Sequence, residues 1–356
     1  MHVERFVAID PKQLFSLDEF EARARETMSH MAYEYVASGA ADERSLKWNR
    51  ERYDELKLRP RVLVDLSGLD MSVTLLGAKH PFPILLAPTA YQRAVHPDGE
   101  LGTAKGAGAM GATYVVSTAS NTSIEEIARV ATGPLWFQLY VQSDRGFSRE
   151  VVQRAEAAGC KALCLTVDTP ILGARNRQAR AGFQMLPGLE TPHLLDTSAH
   201  APGVITPERT SLTWEAVEWL KSVTKLPVLL KGILDYEDAE RAMSMGVAGI
   251  IVSNHGARNL DTVPATIDAL PEIADRVGGT IPVLVDGGIR RGTDVLKALA
   301  LGANAVLIGR PHCFGLAVAG AAGVQRVIEL LVGELQMAMM LTGRPTIASI
   351  DETVLW

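Results

Sequence analysis

Eight short apolar runs recur along the chain with helical pattern between most of them, and this alternation restricts the fold more than any other feature. The runs occupy residues 84–87, 113–117, 135–139, 162–167, 228–230, 249–252, 283–285 and 305–308. They are rich in Val, Ile and Leu, the pattern of strands buried on both faces. Helical segments fall between them, for example at 99–109, 124–130, 148–158, 238–245 and 293–300. Such alternation implies right-handed crossovers and a parallel sheet, and eight units close naturally into a (β/α)8 TIM barrel. An open doubly wound sheet is the structural alternative. The strand ends favour the barrel. Pro and Gly precede most strands, whereas polar or unusual residues follow all eight: Pro88-Thr89, Ser117-Thr118, Gln138 and Tyr140, Thr166 to Asp168, Lys231-Gly232, Ser253 to His255, Asp286 to Gly288, and Gly309-Arg310. A barrel collects its chemistry at the C-terminal ends of its strands.

The chain is read as one barrel domain over residues 1–356, with 1–80 as an N-terminal helical cap and 169–226 as a lid and strand 4–5 connection. Ser16 and Glu19 make a capping box for a first helix over 16–37, and Gly39 is placed to supply a left-handed stop. Residues 48–79 read as mixed and turn-rich. The long gap after the fourth strand carries Arg175, Arg177 and Arg180, then Pro187, Pro192, Pro202 and Pro207, and a helix from about Thr213. Connections of that length in a compact domain are often lids.

Composition excludes several classes. The 356 residues are 47% hydrophobic and 21% charged with a net charge of -6, so neither a nucleic-acid nor an anionic-membrane surface is expected. The three cysteines, Cys160, Cys164 and Cys313, show no metal or disulfide spacing, so no metal is expected and the setting reads as reducing and cytoplasmic. The N-terminus is charged within five residues and has no apolar signal-like core. The most apolar helix pattern, 324–340, is interrupted by Arg326, Glu329 and Glu334, which makes it amphipathic and a candidate oligomer contact rather than a membrane span.

A GxGxxG occurs at 106–111 but in the wrong order, helix before and strand after, so it reads as a helix stop rather than a dinucleotide fingerprint. The better phosphate site lies at the seventh and eighth strands, where Asp286 to Arg290 and Gly309-Arg310 offer glycine-freed backbone amides and two guanidinium groups. Two solvated loop arginines are the ordinary alternative. An apolar barrel mouth with a phosphate anchor at one side points to FMN. After the sixth strand, Ser253, Asn254, His255, Gly256 and Arg258 follow within six residues. His255 is placed to carry a proton and Arg258 to hold a carboxylate, although a lone loop histidine is more often a packed residue.

Seven motifs then carry a family resemblance over nearly the whole chain: YEYVASGAADE (33–43), LLAPTAYQRAVHPDGE (85–100), WFQLYV (136–141), LTVDTP (165–170), LLKGI (229–233), SNHGARNLD (253–261) and VDGGIRRGTDVLKALALGA (285–303). With these the chain resembles the FMN-dependent (S)-2-hydroxy acid oxidases and dehydrogenases. The resemblance implies that His255 is the base, paired with an Asp168 that raises its pKa. It implies that Arg175, Arg258 and Tyr35 bind the substrate carboxylate and Tyr140 the substrate hydroxyl. Lys231 then sits by the flavin N1–C2 carbonyl. Ser117, Gln138 and Thr166 hold the isoalloxazine edge, Thr89 and Ala90 lie along its face, Ser253 is a further cofactor-binding residue, and Asp286, Gly288, Arg290, Gly309 and Arg310 hold the ribityl phosphate end. The implied reaction takes a small (S)-2-hydroxy acid, lactate-like, to the 2-oxo acid, with O2 as acceptor giving H2O2 in a homo-oligomer, a tetramer or octamer. An aromatic mandelate-type substrate, a dehydrogenase using a quinone or cytochrome, and a non-catalytic FMN- or phosphate-binding barrel are the alternatives. Four positions depart from the common pattern: Ala257 where glycine is frequent, Asn259 where Gln is usual, Ile171 where Arg often stands, and Ala119 where plant-type glycolate oxidases carry Trp. Ala90 stands where some dehydrogenases have glycine and tilts the reading towards an oxidase.

Overall fold

The computed structural model describes residues 10–184, 188–195 and 212–356. A hairpin, β1 (Val73–Leu75) and β2 (Ala78–His80), precedes eight strands: β3 (Ile84–Leu86), β4 (Tyr114–Ser117), β5 (Leu135–Leu139), β6 (Leu163–Thr166), β7 (Val228–Ile233), β8 (Gly249–Val252), β9 (Val283–Asp286) and β10 (Ala305–Ile308). The eight close in the order β10-β3-β4-β5-β6-β7-β8-β9, all parallel. The rung between last and first strand pairs Val306 with Ile84 and Ile308 with Leu86, which rules out an open sheet. Alternate residues fill the barrel: Leu85, Val115, Trp136, Cys164, Leu229, Ile251, Leu284 and Leu307 form one buried cluster, closed by Leu75 of the hairpin. Their neighbours Leu86, Val116, Phe137 and Val252 face the helices. Each such side chain contributes about 1.5–3 kcal/mol relative to exposure, so the barrel ends form a firm frame for their loops.

The N-terminal cap differs from the expectation at two places. Residues 16–37 form two helices, α1 (Leu17–Thr27) and α2 (His30–Ala37). Met28 adopts an extended conformation and the Ser29 hydroxyl accepts Ala32 N–H, starting a new helix where the pattern looks continuous. No left-handed Gly39 ends α2; Ser38 is extended, and the left-handed residues after it are Ala41 (φ 45°) and Glu43 (φ 62°). The Ser16 cap does form, its hydroxyl oxygen accepting Glu19 N–H at 3.2 Å. The turn-rich reading of 48–79 misses the second half of α3 (Arg44–Glu55), a mostly polar helix whose buried residues are Ser45, Asn49 and Tyr53.

Helix α4 (Gly99–Ala109) contains Gly106 and Gly108, and Gly111 turns the chain into β4 at φ 68°, so the GxGxxG is structural. The C-terminal helix, Arg310–Leu341, is the one described helix long and apolar enough to cross a membrane by length and composition. It breaks at Ala319 and Gly320, and Val324, Val327, Ile328, Leu331 and Leu335 are buried within the molecule. Met337, Met340 and Leu341 stay exposed at its end. The connection between β6 and β7 is described at a short helix, Asn176–Arg180, at residues 188–195, and at the helix Glu215–Val223. Of the expected lid, residues 185–187 and 196–211, with Pro187, Pro202 and Pro207, lie outside the described residues.

Candidate active site

At the end of β8 the backbone makes an unusual turn: His255 (φ 58°), Gly256 (φ 63°) and Ala257 (φ 59°) are left-handed in succession. Two of the three carry a Cβ, so the conformation persists only because its surroundings enforce it. The turn aims the His255 ring back over the barrel. Its Nδ1 lies 2.9 Å from Asp168 Oδ1, and Nε2 lies 3.5 Å from the Tyr140 hydroxyl. The carboxylate can only accept, so Nδ1 carries the proton and Nε2 keeps its lone pair. Burial pulls the His255 pKa below the ordinary value and outweighs the raising influence of Asp168. The expectation that the pair would raise it is therefore corrected: the carboxylate is present, but desolvation wins. Burial pushes Asp168 upward, yet His255, Lys231 and the Thr169 hydroxyl together bring it below its ordinary range. The resting pair is a neutral imidazole beside a carboxylate. Tyr140, pushed up to about 12 chiefly by burial, stays a hydroxyl.

Beside this turn, the neighbouring strand β7 bulges between Lys231 and Ile233. Gly232, at φ 110°, makes this possible, since a Cβ there would lie 2.5 Å from that of Asp168. Buried Lys231 donates to Ser253 Oγ at 2.8 Å and pairs with Asp286 at 2.8 Å. Burial lowers its pKa, but Asp286 and Asp168 reverse the sign, so it is a fixed cation. Along the neighbouring strand ends, Gln138 donates to Thr166 Oγ1 at 3.0 Å and accepts from Ser117 Oγ at 3.2 Å, making a polar ledge on the cavity wall.

Four arginines line the same cavity. Arg175 donates to Arg258 O at 3.1 Å, and Arg258 to Ser38 O at 2.8 Å. Arg310 donates to Val36 O and Ser38 O, both at 3.0 Å. All these partners are carbonyl oxygens, and those of Val36 and Ser38 lie at the end of α2, where they carry partial negative charge but not a full one. Among the described residues no carboxylate forms an ion pair with Arg175, Arg258 or Arg310. Burial lowers the pKa of Arg258, and Arg175 and Arg310 lower it further. Three guanidinium groups, one buried and two half-buried, without a compensating anion make a site that favours anionic ligands.

The cavity encloses about 490 Å³. All the residues expected at the site line it except two: Asp168 stands behind His255, and Ser253 stands behind Lys231, where its hydroxyl also accepts His255 N–H at 3.1 Å. The wall also includes residues the sequence reading did not single out, among them Tyr91, Leu172, Phe183 and Cys313. Phe183 stacks on Tyr35 with ring centroids 4.2 Å apart, and Tyr91 lies 5.6 Å from Tyr35. Thr169 and Asn259 were missed as well. Asn259 donates to Asp168 O and Thr169 Oγ1, which ties the β8 loop to the β6 loop. Both stand in motifs that carry the resemblance, and Asn259 stood out there only as a departure from the common pattern. The residues fit FMN. Asp286 Oδ1 faces no protein partner although it is buried at the wall, an acceptor suited to a ribityl hydroxyl, with the cations Arg290 and Arg310 on the same cavity.

Comparison with known proteins agrees with this geometry. The chain is 48% identical over 355 residues to an L-lactate oxidase of Nostoc sp., covering 96% of this chain and 97% of that one. It is 49% identical to a peroxisomal (S)-2-hydroxy-acid oxidase of Oryza sativa subsp. japonica, covering 94% of each chain. A solved mandelate oxidase with (S)-2-phenylpropionate superposes with a TM-score of 0.89 at 42% identity, over 97% of this chain and 98% of that one. The model of the family described as FMN-dependent dehydrogenase matches residues 24–356, and the chain belongs to that family.

Proposed function

We propose that the protein oxidises a small (S)-2-hydroxy acid, lactate-like, to the 2-oxo acid while O2 becomes H2O2. The net reaction balances as R–CH(OH)–COO⁻ + O2 → R–CO–COO⁻ + H2O2. The observation that carries this reading is the cluster of Arg175 and Arg258, unpaired with any described carboxylate, on the same cavity as the unprotonated Nε2 of His255, which faces the Tyr140 hydroxyl. Arg258 and Arg175 hold the substrate carboxylate, with the Tyr35 hydroxyl on the same wall. The Tyr140 hydroxyl orients the reacting oxygen. His255 Nε2 accepts the proton released as the substrate is oxidised, and Asp168 offsets the charge that forms on the ring. Bound FMN supplies the two-electron acceptor. Lys231 places a fixed positive charge where Ser117, Gln138 and Thr166 offer polar partners to a ring edge, with Thr89 and Ala90 along its face. Asp286, Gly288, Arg290, Gly309 and Arg310 take the ribityl phosphate.

The aromatic wall of Tyr35, Tyr91 and Phe183 beside the small Ala119 supports a second substrate class, the mandelate-type acids. Similarity to the Nostoc L-lactate oxidase and to the mandelate oxidase supports one class each. The exposed Met337, Met340 and Leu341 support a homo-oligomer, a tetramer or octamer, and the three free, buried cysteines a reducing, cytoplasmic setting. Anaerobic FMN-loaded protein mixed with a panel of aliphatic and aromatic 2-hydroxy acids tests the activity. Bleaching by lactate, followed by rapid reoxidation in air, is the expected result. No bleaching by any acid refutes the activity, and slow reoxidation refutes oxygen as the acceptor.

A further inference from the structure

Helix α3 lies outside the barrel, yet one of its side chains reaches the turn that carries His255. Asn49 and Asn254, 205 residues apart, exchange a reciprocal pair of amide hydrogen bonds: Asn49 Nδ2 donates to Asn254 Oδ1 at 3.0 Å, and Asn254 Nδ2 to Asn49 Oδ1 at 2.9 Å. Both residues are buried. Their remaining capacity goes to the backbone of the same loop. Asn254 Oδ1 accepts Ala257 N–H at 2.9 Å, Asn254 Nδ2 donates to Pro264 O at 3.3 Å, and Asn49 Oδ1 accepts Thr266 N–H at 3.2 Å. The pair therefore grips the loop at its second residue, at its third left-handed residue, and where it enters the helix Thr266–Val277. The cofactor loop meets the same point of α3. A Cβ on Gly288 would lie 1.8 Å from Asn49 O, and Arg50 donates to Gly288 O and Asp294.

We propose that Asn49 is a positioning residue: through Asn254 it holds the left-handed turn that aims His255 Nε2 and Arg258 into the cavity, and it registers that turn against the β9 loop. This rests on the reading of His255 as the base. The turn keeps two non-glycine residues at positive φ, a conformation that relaxes unless neighbouring bonds over-determine it. The amide pair supplies these bonds from a separate element. Truncating Asn49 leaves Asn254 Oδ1 with one donor fewer and its Nδ2 with Pro264 O alone, and strips Thr266 N–H of its acceptor.

The test uses FMN-loaded Asn49→Ala and Asn49→Asp beside wild type, with L-lactate, or the panel acid that bleaches wild type fastest, as the probe. Flavin content, the anaerobic flavin-reduction rate at saturating acid, and the acid's apparent Kd are measured. Asn49→Ala is expected to keep stoichiometric flavin and a folded melting transition. Its reduction rate should fall on the order of 10²-fold, the cost of misplacing a catalytic group by about 1 Å, with a much smaller change in Kd. Asn49→Asp keeps the acceptor for Thr266 N–H and for Asn254 Nδ2 and is expected to recover a substantial part of the rate. Should Asn49→Ala not fold, Asn49→Asp decides by the same readouts, with a reduced rate at unchanged flavin content expected. A wild-type reduction rate in the folded variants, or a rate lost only in proportion to lost flavin, overturns the proposal. Absence of bleaching in the wild type refutes the proposed activity instead.

Discussion

His255 is poised by two opposing effects, and its value as a base depends on their balance. Burial keeps the ring neutral and ready to accept a proton, while Asp168 at 2.9 Å ensures that the proton, once taken, is tolerated. His255→Ala removes the acceptor without touching the phosphate arginines, so the variant is expected to stay yellow. Its anaerobic reduction by substrate should slow by about 10²–10⁴-fold; a variant reduced at the wild-type rate would show that the base lies elsewhere. The role of base came with the family resemblance, and the residue and its loop were legible in the sequence as a local pattern, a strand-end histidine beside an arginine. Its protonation state was not. That state depends on how fully residues from β5, β6 and β7 exclude water, a property of the closed barrel rather than of any short motif.

At the scale of elements, the strands were legible because burial on both faces leaves continuous apolar runs. The helices of the cap were less so. The break between α1 and α2 rests on one serine hydroxyl, and α3 hides its inner face behind Ser45, Asn49 and Tyr53 rather than behind aliphatic residues. The short helix Asn176–Arg180 is held against this cap by charge. Arg175 stands at its N-cap, and Arg177 pins it to α2 through Glu34 at 2.7 Å and to the start of α3 through Glu43 at 3.1 Å. Arg177→Ala releases that tether and loosens Arg175 with the Phe183 stack, while His255 and Lys231 stay in place. The KM for the hydroxy acid is expected to rise roughly ten-fold, a loss of about 1–2 kcal/mol, with kcat little changed. Steady-state kinetics reads the split, and a fall in kcat alone would contradict it.

For the molecule as a whole, acid is the expected weakness. His193 and His312 are fully buried, and burial pushes both down to about 4. His193 Nε2 accepts the N–H of Ile124 and its Nδ1 meets Ser120 Oγ at 3.2 Å, while the His312 ring spans Ile308 O and Thr89 Oγ1. The folded-state values lie below the ordinary 6.5 of an unfolded histidine, so the unfolded chain binds more protons between the two. Stability is therefore complete above about 6.5 and declines as pH falls towards about 4, by roughly 2–3 kcal/mol per histidine. Melting temperatures across that window should fall steeply, and His193→Gln should flatten the slope. An unchanged slope would show that His193 contributes nothing to it.

Arg258 and Arg310 both donate to the last carbonyls of α2, those of Val36 and Ser38. One short stretch of main chain thus braces the group assigned to the substrate and the group assigned to the cofactor. Neither preference is free to drift on its own. A lineage that reshapes this corner to admit a different acid also alters its grip on flavin, so new specificities have more room to arise from cavity positions outside this brace, such as Ala119.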